Sequence, residues 1–170
     1  MTRVLFLSLA LSLIASTALA QTSQPQSPED FLAYHPFSGR LGIGSTVSPE
    51  TFLLMGTVEG HLDRFFSFGP MLQLGLHRNT NLIVPTLSGR FTAPIYPLDR
   101  IKVSLQAGVG GLIRKENGFR TYDFDFETGM DLDVFVIKGL TAGLGWILNV
   151  SGDRVDRTVW SLYASAAYHF

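Results

Sequence analysis

No cysteine occurs among the 170 residues, so disulfides, thiol catalysis and cysteine-built metal centres are excluded. Charge is sparse too: Asp, Glu, Lys and Arg make up 16% of the chain, with a formal net charge of −1. That balance offers no basic stripe, the footprint that nucleic-acid binding requires. Past residue 20, no apolar run reaches the roughly 20 residues that a membrane helix needs. Histidine is scarce, with four in all, and none is spaced from a serine in a way that suggests a nucleophile with its base.

What is present is glycine, with 17 residues, and apolar side chains, at 46% of the chain. The length fits one domain. Residues 1–20 read as an export signal: Arg3, an apolar run from Val4 to Ala15, then Ala18-Leu19-Ala20 as a small-x-small cleavage site. Removing Arg3 takes the formal −1 to −2 for a mature chain starting at Gln21. Residues 21–36 read as a flexible leader, Gln/Ser/Pro-rich at first. Within it Ser27-Pro28-Glu29-Asp30 carries the cap, proline and acids of a helix start, and Pro36 ends the segment. His35 is expected to be exposed there.

From Phe37 to Phe170 the chain alternates. Trp160, Leu162, Ala164, Ala166 and Tyr168 fall on one face of the last segment; Val159, Ser161, Tyr163, Ser165, Ala167 and His169 fall on the other. That period of two is a β-strand with one apolar and one wetter face. Similar segments run at about 38–47, 51–62, 65–76, 81–94, 100–113, 120–135 and 139–150, joined by short polar breaks that allow only hairpins. The sixth is the clearest. Tyr122, Phe124, Phe126, Met130, Leu132 and Val134 oppose Asp123, Asp125, Glu127, Asp131 and Asp133.

Glycine and serine recur on the polar faces, as in Ser104, Gly108 and Gly110, or Gly143 and Gly145. A strand surface open to water favours long polar side chains, whereas small ones suit a confined space. Apolar outside and small-polar inside, about ten residues per strand, is the transmembrane barrel pattern. The expected fold is all-β, an eight-stranded antiparallel up-and-down transmembrane β-barrel whose lumen is filled by side chains. A soluble exported barrel that binds a ligand would need the opposite polarity. Pro70 and Pro85 cannot donate to a sheet, so each is expected at a bulge or a strand end. Tyr96, Phe135, Tyr168 and Phe170 are expected at one membrane interface; Tyr122, Phe124 and Trp160 are expected at the other.

With its Gly-rich strand Gln106-Ala107-Gly108-Val109-Gly110-Gly111 and its terminal Tyr168-His169-Phe170, the chain from Phe37 onward resembles the small outer-membrane barrels. That family includes the OmpA transmembrane domain, OmpX and OmpW. The resemblance implies an outer-membrane location, with lipid, lipopolysaccharide and the barrel assembly machinery as partners, and makes Phe170 the assembly signal. It implies no cofactor. A monomer is favoured.

An N-terminus on the periplasmic side sorts the inward charges by depth. Arg40, Glu59, His61, Arg90, Lys102, Asp131, Asp133 and His169 lie toward the periplasm, and Asp123 and Asp125 toward the outside. Together with Glu127 they are expected to form an ion-paired network that fills the lumen. A narrow ion pathway is the alternative. Calcium on Asp123, Asp125 and Glu127 is a further reading, set behind pairing of the whole acidic stripe with Arg and Lys. The outer hairpin tips carry Arg78, Arg114, Lys115, Arg154 and Arg157, suited to lipopolysaccharide phosphates. Some small barrels of this kind are lipid A-modifying enzymes. Here His77 is the sole histidine near the outer end, and the expected function is a non-enzymatic one in envelope integrity or surface interaction.

Overall fold

The computed structural model describes residues 35–47, 49–78, 80–95, 98–116, 118–152 and 158–170. The export signal and most of the leader, with its helix start, lie outside them, as do Tyr96, Arg154 and Arg157.

Eight strands follow one another: β1 (Phe37–Val47), β2 (Glu50–His61), β3 (Phe66–Leu76), β4 (Thr80–Ile95), β5 (Leu98–Glu116), β6 (Phe119–Ile137), β7 (Leu140–Ser151) and β8 (Thr158–His169). Each pairs antiparallel with the next, and β8 returns to β1, so the sheet closes into a barrel. Closure removes the unpaired edges that an open sheet would present. The chain's last residue completes it: Phe170 donates its N–H to the Phe37 carbonyl at 3.0 Å and accepts the Phe37 N–H at 3.2 Å. Gly118, Gly139 and Gly152 take positive φ at or beside three connections, where a side chain would be strained.

Burial follows the alternation. On β4, Leu82, Val84, Thr86, Ser88 and Arg90 are buried in the lumen, while Ile83, Leu87 and Phe91 face out. Leu41 is 74% exposed, Leu87 59% and Leu105 55%. An apolar band of that extent around a closed barrel is the surface a bilayer covers rather than water. Aromatic rings gather toward its two margins. At the end carrying Phe37 and Phe170, Phe170 stacks on Phe37 and Tyr168, and Phe66 and Phe65 meet Phe91. Toward the opposite end Phe52, Phe119, Tyr122, Phe124 and Trp160 are exposed.

Three expectations are corrected. Pro70 and Pro85 sit inside continuous strands, outward, with Leu87 opposite Pro70 and Leu72 opposite Pro85. On their other sides the ladder keeps its register across a gap, between Thr57 and Gly60 on β2 and between Ile83 and Thr86 on β4. The lost donors are absorbed by an opening of the ladder, with neither bulge nor strand end. Phe135 lies at the mouth end of the barrel but does not face the bilayer. It is buried on the same inward face as Asp133, with the Lys102 ammonium 4.3 Å from its ring centroid. His35 is half-buried, 6.1 Å from the His169 ring.

Candidate functional site in the barrel lumen

The lumen is built in layers, each from residues that alternation turns inward. At the end of Phe37 and Phe170 is a mouth cavity of about 150 Å³, lined by His35, His61, His169, Lys102, Phe135 and Thr141, with Arg40, Glu59, Arg90 and Asp133 at its floor. His61 Nε2 stands 2.9 Å from the Ser38 hydroxyl, and the His61 and His169 rings are 6.0 Å apart.

Below the mouth lies an ionic layer. Arg40 donates a forked pair to Asp133, both bonds 2.8 Å, and a third bond to the Ser165 hydroxyl at 2.9 Å. Arg90 divides its fork three ways: Nε to Glu59 at 2.9 Å, Nη2 to Gln106 Oε1 at 2.8 Å, and Nη1 to Asp131. Asp131 also accepts the Tyr163 hydroxyl at 2.5 Å and has Arg40 within 4.0 Å. Ser67 donates to the second Glu59 oxygen at 2.8 Å. Planar guanidinium forks matched to carboxylates are the strong form of this interaction. Each charge in the layer is hydrogen-bonded, two arginines against three carboxylates, with Lys102 of the mouth opposite Asp133 in register, and such buried pairs are costly to break from one side.

Space for it comes from β7. Gly143 and Gly145 lie opposite Asp133 and Asp131 in register, and a Cβ at either glycine would strike the facing carboxylate. Here glycine works by its lack of volume.

Beyond the ionic layer the lumen turns apolar. Leu53, Met55, Met71 and Ile147 pack with Tyr163 into one buried cluster. Farther along, Leu82, Val84, Leu112 and Val159 form a second. Between them runs a polar belt: Gln73 and Asn149 exchange amide bonds at 3.1 and 3.3 Å, while Gln73 and Thr86 donate to Glu127 Oε2 at 3.2 and 2.9 Å. At the far end a cavity of about 430 Å³ is lined by Leu112, Arg114, Glu116, Phe119, Thr121, Asp123, Ser151 and Val159.

The acidic stripe of β6 is therefore divided. Asp131 and Asp133 meet arginines; Asp125 and Glu127 do not, contrary to the expected pairing of the whole stripe. Both are fully buried. Lys102, His61 and His169 belong to the mouth, with Lys102 opposite Asp133 in register. The basic tips divide as well. Arg78 and Lys115 are exposed, but Arg114 turns inward with Leu112 and bonds Glu116 at 3.0 Å, so it is not part of an outer ring.

Charge alone did not flag every partner. Tyr163 and Ser67 carry no formal charge, and Gln73 lies on a strand read mainly for its proline. Their signal was parity: each falls on the inward set of its strand, where a polar atom has to find a partner.

No family model and no curated protein matches the sequence. Solved structures do match in shape. The crystal structure of Neisserial surface protein A aligns with a TM-score of 0.62 at 11% identity, covering 79% of this chain and 96% of that one. The N-terminal β-barrel domain of Pseudomonas aeruginosa OprF aligns at 0.61 and 9%, covering 78% and 97%. The outer membrane enzyme PagL aligns at 0.53 and 10%, covering 78% and 99%. At these identities the likeness establishes the fold, a closed eight-stranded antiparallel barrel.

Proposed function

We propose that the chain is an outer-membrane barrel with a sealed lumen, serving envelope integrity or surface interaction without catalysis. The observation that carries this reading is the filling of the lumen by an ionic layer and two apolar clusters. The apolar exterior and the export signal support the membrane location. So does the similarity to PagL, an outer membrane enzyme, and to a Neisserial surface protein. The finer part of the proposal is that it resembles the OmpA, OmpX and OmpW group and acts as a monomer.

Membrane fractionation with heat-modifiable gel migration tests the location. Recovery in the soluble fraction, with no difference between boiled and unboiled samples, overturns it. Planar bilayers test the sealing. Conductance is expected to stay at background, because an ion would have to cross both apolar clusters as well as the ion pairs. Stable channel steps that change in Arg90→Ala would favour the narrow channel.

Phe170 gives a second expected result. Its deletion removes the last two backbone bonds of the β1–β8 seam and the ring stacked on Phe37 and Tyr168. Outer-membrane levels of the truncated chain should fall well below those of Phe31→Ala in the leader. Equal levels would remove Phe170 from assembly.

Lipopolysaccharide remains the proposed surface partner, on a revised set of residues. Lys115 and Arg120 face each other across β5 and β6, both exposed, two positions beyond the Ile113–Tyr122 pair on the same face. Like charges directly opposed repel, and a phosphate bridging them relieves that. Arg78 adds charge on the neighbouring tip. Lys115→Gln with Arg120→Gln should weaken lipopolysaccharide binding and flatten its salt dependence; unchanged binding would make these tips plain solvated charge.

The likeness to PagL, an outer membrane enzyme, leaves a second reading open, the lipid A-modifying barrel considered from the sequence. His77 is exposed beside Arg78. Altered lipid A masses on overexpression, restored in His77→Ala, would support that reading over the structural one.

A further inference from the structure

Phe119 falls on the inward set of β6 with Thr121 and Asp123, yet it is 81% exposed, the most exposed large apolar side chain among the described residues. A single exposed ring on an open surface carries no meaning, but this one stands at the lip of the far-end cavity of about 430 Å³. β5 and β6 build one wall of that cavity from three facing pairs: Leu112 with Asp123, Arg114 with Thr121, and Glu116 with Phe119. The pairing of β6 with β7 stops at Asp125 and Ser151. The wall therefore rises above the part that β7 and β8 contribute, Ser151 and Val159. Depth sorts the lining. Leu112, Val159 and Ser151 are buried at the floor, Arg114 and Asp123 are half-buried, and Glu116, Phe119 and Thr121 are exposed at the lip. Leu82 and Val84 complete the apolar cluster at the floor, so the cavity is a blind cup. A ligand entering it from the far end crosses no part of the plug.

The chemistry of the lining narrows what the cup can hold. Arg114, Glu116 and Asp123 sum to one negative charge, and Arg114 already bonds Glu116 at 3.0 Å, which disfavours an anion such as phosphate. Five polar residues line it against three apolar ones among the described residues, so an acyl chain would find no apolar channel and would desolvate polar groups without replacing their bonds. A neutral ligand that carries donors, acceptors and an apolar C–H face meets both conditions. A sugar ring is such a ligand. Its hydroxyls both donate and accept, as carboxylate, guanidinium and hydroxyl neighbours require, and its C–H face suits the Phe119 ring. The Thr121 hydroxyl reaches only the Arg114 carbonyl, at 3.5 Å, a length at which a ligand oxygen competes well. The volume lies within the range of small-ligand sites, about 300–1,000 Å³.

We propose that the far-end cup binds a neutral sugar residue, with Phe119 against its C–H face and Arg114, Glu116, Thr121 and Asp123 bonding its hydroxyls. This names a ligand class for the surface interaction proposed above. It rests on that reading only for the side of the membrane to which the cup opens.

The test uses the chain folded in zwitterionic detergent, with glucose, galactose and mannose as free neutral probes. Saturation-transfer NMR is run with the aromatic protons irradiated, so that the detergent, which has none, stays silent. Transfer to at least one sugar is expected in the parent, and its loss is expected in Phe119→Ser with Asp123→Ala. Tyr122→Ser removes an outward ring of the same strand and should leave the transfer in place. Heat-modifiable migration checks that both variants are folded. Transfer that survives the loss of Phe119 and Asp123 would put the contact elsewhere and overturn the proposal. Displacement of the sugar by inorganic phosphate would make the ligand an anion and overturn it too. So would silence from all three probes in the parent, a measurement that needs no variant to fold. The two readings fail separately: a barrel that fractionates with the outer membrane and binds no sugar ends the cup alone, whereas sugar binding by a chain recovered in the soluble fraction ends the membrane location alone.

Discussion

Asp131→Asn is expected to destabilise the barrel by about 3–5 kcal/mol, the cost of breaking a buried ion pair from one side. The side chain keeps its shape, so the loss is one of charge. Asp131 holds Arg90 Nη1, accepts the Tyr163 hydroxyl at 2.5 Å and lies within 4.0 Å of Arg40. Without it three cations, Arg40, Arg90 and Lys102, face two carboxylates, Glu59 and Asp133, and the buried Arg90 loses one of its two acidic partners. An amide oxygen can still accept one bond, which sets the loss toward the lower end of that range. Urea unfolding of the folded barrel in detergent measures it. A change below about 1 kcal/mol, the size typical of exposed pairs, would mean that water reaches the layer and that the lumen is not sealed. The same variant examined in planar bilayers should still show background conductance, because the apolar clusters around Ile147 and around Leu112 remain.

The sign of that expectation differs between neighbours on one strand. Asp131 and Asp125 share a face of β6 and a chemistry, yet neutralising the first should weaken the fold, and neutralising Asp125 with Glu127, three of whose carboxylate oxygens have no hydrogen-bond partner among the described residues, should strengthen it. Sequence alone could not separate them. Period-two alternation put all the β6 acids on the inward side, and so they are. Which of them meets an arginine depends on the stagger that brings β1 and β4 to the lower half of β6 and not the upper. That is a property of closure, read from Arg40 and Arg90 only once the ring of strands is complete.

The same limit explains the other departures. Strand order and the facing of β4 to β8 were legible because one apolar face against lipid and one small-polar face inside leave a strict pattern. The inner apolar clusters were harder to see. Ile147 and Met71 interrupt polar faces singly, Leu53 and Met55 do so as a pair on β2, and only their convergence from separate strands makes a plug. Arg114 read as a tip cation because it lies near a turn. It is parity with Leu112 that sends it inward to Glu116. The prolines misled through a rule about donors: an outward proline can lie within a strand where the ladder opens without losing register.

Gly145→Val tests whether the glycines of β7 serve as volume. A Cβ at Gly145 would lie 2.6 Å from the Tyr163 ring and 2.7 Å from its hydroxyl, and would strike the Asp131 carboxylate. Those atoms belong to the ionic layer, so none can retreat without releasing a hydrogen bond or an arginine. Overpacking alone costs about 1–3 kcal/mol, and displacing Asp131 adds a share of the ion-pair loss. Valine's preference for strands acts in the other direction but spans only about 1 kcal/mol. Net destabilisation of about 3 kcal/mol or more is therefore expected, with much of the chain failing to fold. Gly89→Val is the control. That glycine is exposed on the outward face of β4, and a Cβ there would meet nothing nearer than the Ala107 carbonyl at 3.9 Å. It should be neutral or mildly stabilising, since valine suits a strand facing lipid. Urea midpoints of the two variants, measured side by side, decide the matter. Equal effects would mean that glycine in these strands serves backbone flexibility, while a large loss confined to Gly145 would show that the inward glycines are the room in which the ion pairs are built.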